Sequence, residues 1–156
     1  MDDSFRNALR SGLDHVFSQL MSIGECRVSS TADADSGALV CCSLPIGGDW
    51  PGQVFLRTTN TLCANIVSLL FPDIAVSQDA IEDAACELLN MVAESARTLL
   101  SQRNLPFEVG APSTRHPVSD ILPEDKRIVR SVYLDEPIEL WFEDDPGAKS
   151  APRKDG

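Results

Sequence analysis

Two side chains one helical turn apart, Glu87 and Asn90, have the types and spacing best suited to chemistry in this sequence. They sit in the run CELLNMVAESAR, Cys86 to Arg97, which is strongly helix-forming. Helix positions three apart project from one side, so this carboxylate and this amide can reach the same small external object. At about 100° per residue, Asp83, Glu87, Asn90, Glu94 and Arg97 share one arc, while Ile81, Ala85, Leu88, Val92 and Leu99 fall on the opposite one. One arc packs, and the other faces water or a partner. Glu-x-x-Asn alone is also what any solvated helix face carries, but Asn is an unforced choice in mid-helix, where Lys, Gln or Glu form helix better.

The helix that holds the pair must be positioned by the rest of the chain. Its periodic pattern predicts a long helix over about 79–103, with Asp79, Glu82 and Asp83 early and Arg97 and Arg103 late, in keeping with the helix dipole. Upstream, Phe5, Leu9, Leu13, Val16, Phe17 and Leu20 line one face of an amphipathic helix over 3–21. ECRVSS reads as a short strand, TADADSG as a turn and ALVCCSLPI as a strand apolar on both faces. GGDWPG makes a turn, and Val54, Leu56 and Thr58 alternate against Phe55 and Arg57 in a hairpin partner. Thr58 or Thr59 can cap a second helix that carries Leu62, Ile66, Leu69 and Leu70 and stops before Pro72. Downstream, LPFEVGAPST reads as a strand running into a turn, and RHPVSDILPEDK as a Pro-rich loop. RIVRSVYLDE and PIELWFED form two antiparallel strands, with a tight connection near Glu136 and Pro137. The order helix, three strands, two helices, three strands is not the alternation of a parallel sheet. It predicts an α+β fold, three helices layered on a mostly antiparallel sheet of about six strands. The expected organisation is one domain over 1–143 and a disordered polar tail over 144–156.

Composition narrows the partners. A formal net charge of −11 with only 13 scattered Lys and Arg residues disfavours nucleic acid, which requires clustered cations. No apolar run approaches the roughly 20 residues needed to span a bilayer, and MDDSFRNALR has neither the basic start nor the apolar core of a secretory leader, so a cytoplasmic protein is expected. The five cysteines Cys26, Cys41, Cys42, Cys63 and Cys86 form no C-x-x-C pair, and their odd number argues against a disulfide framework or a structural zinc site. They read as reduced and mostly packed. His15 and His116 lack ligand-spaced partners and read as a helix-face and a loop histidine. No metal site is expected.

The run DAACELLNMVAESAR resembles the signature helix of the CheC/CheX/FliY family of chemotaxis phosphatases, with Asp83, Glu87 four on and Asn90 three further. The family places a proline a little over twenty residues after the Asn, and Pro112 in VGAPST matches it. GGDWPGQVFLRTTNTLCANIVSLLF is similar to the CheX-type hairpin and helix, with Gly48 and Gly52 in the turn. The resemblance runs from about residue 5 to about residue 143. There is one such motif, as in CheX-like members, whereas CheC-like members usually carry two. Glu94 and Ser95 depart from the Gly and small residue that many relatives have in that turn.

The resemblance implies a CheC-like/CheX-like fold and a protein phosphatase for the aspartyl-phosphate of a CheY-type response regulator, in chemotaxis or related two-component signalling. In that reading Asn90 positions the attacking water and Glu87 docks to the receiver's lysine. Asp83, Glu94 and Arg97 contact the partner, and Pro112 is structural. The protein has no cofactor of its own, the Mg2+ being held in the receiver site, and it forms a homodimer through sheet edges. The alternative is a non-catalytic receiver-binding adaptor or flagellar-switch-type interaction module.

Overall fold

The computed structural model describes residues 3–23, 37–116, 118 and 128–145. Within them the element order is α1 (Asp3–Ile23), β1 (Leu39–Gly48), β2 (Gly52–Thr59), α2 (Asn60–Leu70), α3 (Gln78–Ser101), β3 (Phe107–Val109), β4 (Ser113–Thr114), β5 (Ile128–Tyr133) and β6 (Glu136–Asp144). The six strands form one sheet in the order β3-β1-β2-β6-β5, with β4 also on β1, and every pairing is antiparallel. The fold is therefore α+β, three helices on an antiparallel six-strand sheet.

The helix layer covers one face of the sheet, and strand alternation sends Val40, Cys42, Leu44, Val54, Leu56, Ile138, Leu140 and Phe142 into a shared core with it. From α1, all six residues of the expected apolar stripe, Phe5 to Leu20, are buried there. Phe5 centres an aromatic group with Trp50, Phe107 and Phe142, and Phe17 stacks on Tyr133 with ring centroids 3.8 Å apart. The Tyr133 hydroxyl donates to Asp14, and Arg6 donates to the Ile128 carbonyl at 3.2 Å, so α1 is tied to β5 at two levels. On the opposite face of the sheet Cys41, Ile128 and Trp141 make a smaller cluster, with Phe55 stacked on Trp141 and Arg115 over the Phe55 ring.

Several local expectations shift. The predicted strand 25–30 and most of the turn 31–37 lie outside the described residues. The sixth strand of the sheet is instead the short β4, because VGAPST does not run on as one strand. Between the Ile46–Val109 and Ser43–Ser113 pairs, two residues of β1 face three of the returning chain. Pro45 and Pro112, which lack an N–H, sit in this bulge. Gly110 donates there to the Pro45 carbonyl at 2.8 Å, and a Cβ on it would lie 2.6 Å from the Pro45 ring. The β5–β6 connection turns at Leu134 and Asp135, both at positive φ, rather than near Glu136 and Pro137, which are already in β6. That backbone matches the right-handed twist of the strands it joins, so turn geometry prevails over residue preference. β6 extends through Asp144, one residue into the stretch assigned to the polar tail, and 146–156 lie outside the described residues.

At Gly12 the backbones of α1 and α3 come close together. A Cβ there would lie 2.8 Å from the Val92 carbonyl oxygen and 3.3 Å from the Ala96 nitrogen, both on α3. We expect Gly12→Ala to lower stability by about 1–2 kcal/mol, the strain of overpacking outweighing a helix-propensity gain of roughly 1 kcal/mol. Urea unfolding with an unchanged m-value checks this, and a more stable variant would show that the two helices part freely.

Candidate functional site

The candidate site is the outer stripe of α3. Its start is fixed by Ser77, whose hydroxyl accepts from the Ala80 N–H at 3.1 Å, with Asp79 in the first turn. Its end is set differently from the expected basic last turn, since the helix stops at Ser101 and no basic residue lies in that turn. Asn104 takes a left-handed conformation (φ 59°) and lets the Leu105 N–H bond back to the Leu100 carbonyl at 2.9 Å. This closure satisfies the terminal carbonyls without a cation.

Ile81, Ala85, Leu88 and Val92 are buried as the periodicity requires, but Leu99 is only partly so and Leu100 is in the core. Leu89, Ala93 and Ala96 are buried as well, because α3 packs on α1, α2 and the sheet at once. What remains for solvent is narrow. Asp83, Glu87 and Arg97 are exposed, and Asn90 and Glu94 are partly so. Asn90 is thus not turned in against its own sheet.

Pairing separates these side chains further. Arg97 donates to Glu94 at 2.8 Å through Nε and approaches it at 2.7 Å through its other terminus, while Glu82, on the flank of the stripe, contacts the His116 imidazole at 3.1 Å. Asp83, Glu87 and Asn90 have no side-chain hydrogen bond or ion pair among the described residues. Two grooves border the stripe. One of about 700 Å3 lies between α2 and α3, lined by Ile66, Leu70, Phe71, Ile74 and Met91, with Asp83 and Glu87 on its wall. The other, of about 560 Å3, lies between α1 and α3, with His15, Gln19, Glu94 and Thr98 on its wall. Phe71 and Ile74 stand more than half exposed beside the first groove, an apolar patch that charge and spacing on α3 alone do not reveal.

The stripe therefore offers two uncompensated carboxylates and a free amide on a rigid rod. It can accept a cation, and it can orient a small polar molecule through an amide that both donates and accepts. Among the described residues no group of three or more His, Cys, Asp or Glu side chains is placed to hold a metal ion. None of their helices is long and apolar enough to cross a membrane. Pro112 lies in the bulge before β4.

This fold is shared with solved chemotaxis proteins. A chemotactic CheC-like protein from Shewanella oneidensis MR-1 superposes with a TM-score of 0.63 at 22% identity, covering 92% of this chain and 100% of that one. A CheC-like superfamily protein from Shewanella sp. PV-4 gives a TM-score of 0.61 at 19% identity over 92% of this chain and 99% of that one. The CheX–CheY–BeF3–Mg2+ complex from Borrelia burgdorferi matches with a TM-score of 0.55 at 13% identity, over 90% of this chain and 94% of that one. No curated protein matches the chain. The family model described as chemotaxis phosphatase CheX matches residues 40–126, more than half the chain and the whole of α3, and the protein belongs to that family.

Because Asn90 has no partner to lose and Ala is the better helix former, Asn90→Ala should raise stability, by ~0.5 kcal/mol. Chemical denaturation checks it. A loss of more than about 1 kcal/mol would mean that the amide is structural.

Proposed function

We propose that this protein accelerates hydrolysis of the aspartyl-phosphate of a CheY-type response regulator, with Glu87 docking to the receiver's active-site lysine and Asn90 positioning the attacking water. The observation that carries the reading is that a CheX-family chain leaves this carboxylate and this amide unpaired on the exposed stripe of a buried, rigid helix. BeF3 mimics a phosphoryl group, so the complex from Borrelia burgdorferi supports a phosphorylated CheY-type partner that carries its own Mg2+.

The chemistry asks little of the helper. An acyl phosphate is already reactive, and the gain comes from holding water in line with phosphorus. Asn90 does this by accepting a hydrogen bond from the water at its carbonyl and offering its N–H to the water or to a phosphoryl oxygen. An amide keeps its charge across physiological pH, so the orienting power is constant. Glu87 meets the lysine and fixes the register of the rod. Asp83, Glu94 and Arg97 act at the rim: Asp83 adds to the negative stripe, while Glu94 and Arg97 neutralise each other at its far end. The apolar groove bordered by Phe71 and Ile74 gives the receiver surface a dry contact beside the charged one. A homodimer through sheet edges accompanies this reading. The edge strand β5 carries Val132 at 66% exposure, an apolar side chain that such pairing would cover.

The test is the decay of a panel of phosphorylated receivers with and without the protein. With the cognate receiver, Asn90→Ala should remove about a hundredfold of the acceleration at saturation while affinity changes little. Glu87→Ala should weaken binding by about tenfold or more. Binding without acceleration by the unaltered protein would make it an adaptor, and full acceleration by the Asn90 variant would remove the amide from the mechanism.

A further inference from the structure

Beneath the stripe lies a pair of thiols that the proposed reaction does not use. Cys42 projects from β1 into the core and is fully buried, and its Sγ donates to the Ala85 carbonyl at 3.3 Å, the residue preceding Cys86. Cys86 is only partly buried, and its sulfur lies 3.8 Å from the Thr114 hydroxyl. Thr114 is in turn the register partner of Cys42 across β1 and β4. Cys42 and Thr114, paired across the two strands, thus both reach the turn of α3 that carries Cys86, one at the Ala85 carbonyl and the other at the Cys86 sulfur. One thiol is partly open to solvent, and the other lies buried behind the same turn.

We infer that Cys86 is an oxidant-reactive thiol and that Cys42 resolves its oxidised form as an intramolecular Cys42–Cys86 disulfide. The oxidant is a hydroperoxide. The Cys86 thiolate attacks one peroxide oxygen, an S–O bond forms as the O–O bond breaks, and the departing oxygen leaves as hydroxide or alkoxide and takes up a proton. The Cys42 sulfur then attacks the Cys86 sulfur. The S–O bond breaks, the S–S bond forms, and the Cys42 proton leaves with the hydroxyl group as water. Two thiols have lost two electrons to one peroxide, and a dithiol reverses the step by exchange.

The electrostatics favour this division of labour. The neighbouring Cys42 thiol, ahead of the opposing effect of burial, holds the Cys86 thiol down at about 7, whereas burial pushes Cys63 up to about 12 and Cys41 upward. Cys42 is raised, first by the neighbouring Cys86 and then by burial, so it keeps the proton that the Ala85 carbonyl accepts. Cys41 points to the other face of the sheet and cannot compete for Cys86. Closing the bond brings the sulfurs to roughly 2 Å from each other and draws α3 and β1 together at the residue before Glu87, one turn ahead of Asn90.

The full reduced chain, freed of reductant, is exposed to a few equivalents of hydrogen peroxide at neutral pH, then alkylated under denaturing conditions and mapped by peptide mass. The expected result is a loss of two hydrogens and a linked peptide whose fragments place the bond at Cys42 rather than Cys41, with Cys41 and Cys63 still alkylated. In the folded, reduced chain a small haloacetamide should label Cys86 about tenfold faster than Cys41. Cys42→Ala also removes the group that lowers the Cys86 thiol, so at a larger dose it should leave Cys86 as a sulfenic acid that a 1,3-diketone traps, without cross-linking. An unreacted Cys86, oxidation that stops at the sulfinic acid in the unaltered chain, or a cross-link through Cys26, Cys41 or Cys63 overturns the inference. The readout is mass alone, so it stands or falls apart from the function proposed above.

Discussion

The contact on which the site depends is the side-by-side packing of α1 and α3 at Gly12. With no side chain there, the α1 backbone comes within touching distance of the Val92 carbonyl, and α3 sinks between α1, α2 and the sheet. Ala85, Ala93 and Ala96 continue the same logic along α3, since small residues let neighbouring backbones approach. A helix held on so much of its circumference cannot roll or slide. The narrow stripe left over is consequently fixed in direction, so its side chains are presented to any visitor in one geometry.

Selective pairing then decides which groups on that stripe are available. Glu94 and Arg97 close on each other, and Glu82 has His116. Surface pairs of this kind contribute little to stability. Their effect here is to leave the neighbours Asp83, Glu87 and Asn90 without competitors for a visitor's charge and hydrogen bonds. A lysine approaching the stripe meets carboxylates whose desolvation is not opposed by an existing partner.

The sequence made the long elements legible because their signals are periodic and repeated. α1 and α3 follow from apolar spacing, and the β1–β2 hairpin from alternation on either side of a Gly-rich turn. What escaped were features set by single backbone conformations. The end of α3 is decided by a left-handed Asn104, and a chain of similar composition could have run on to Arg103. The break between β3 and β4 answers to Pro45, more than sixty residues away in sequence. Likewise Leu134 adopts a turn conformation that its side chain disfavours. The site divides the same way: the Glu87–Asn90 spacing is local and readable, whereas the meeting of Cys42 with Cys86 depends on β1 and α3 packing and has no local signal.

The two tryptophans fall on opposite faces of the sheet. Trp50 leans on Phe5 and Phe107 within the helix-side aromatic group, and Trp141 stacks on Phe55 beyond the strands. Each indole therefore senses one layer and is shielded from the other by the strands between. The molecule carries an intrinsic fluorescent reporter for each half of its architecture. Emission changes confined to Trp50 would signal loosening of the helices alone, and a shift in Trp141 would mark the moment at which the strands themselves come apart.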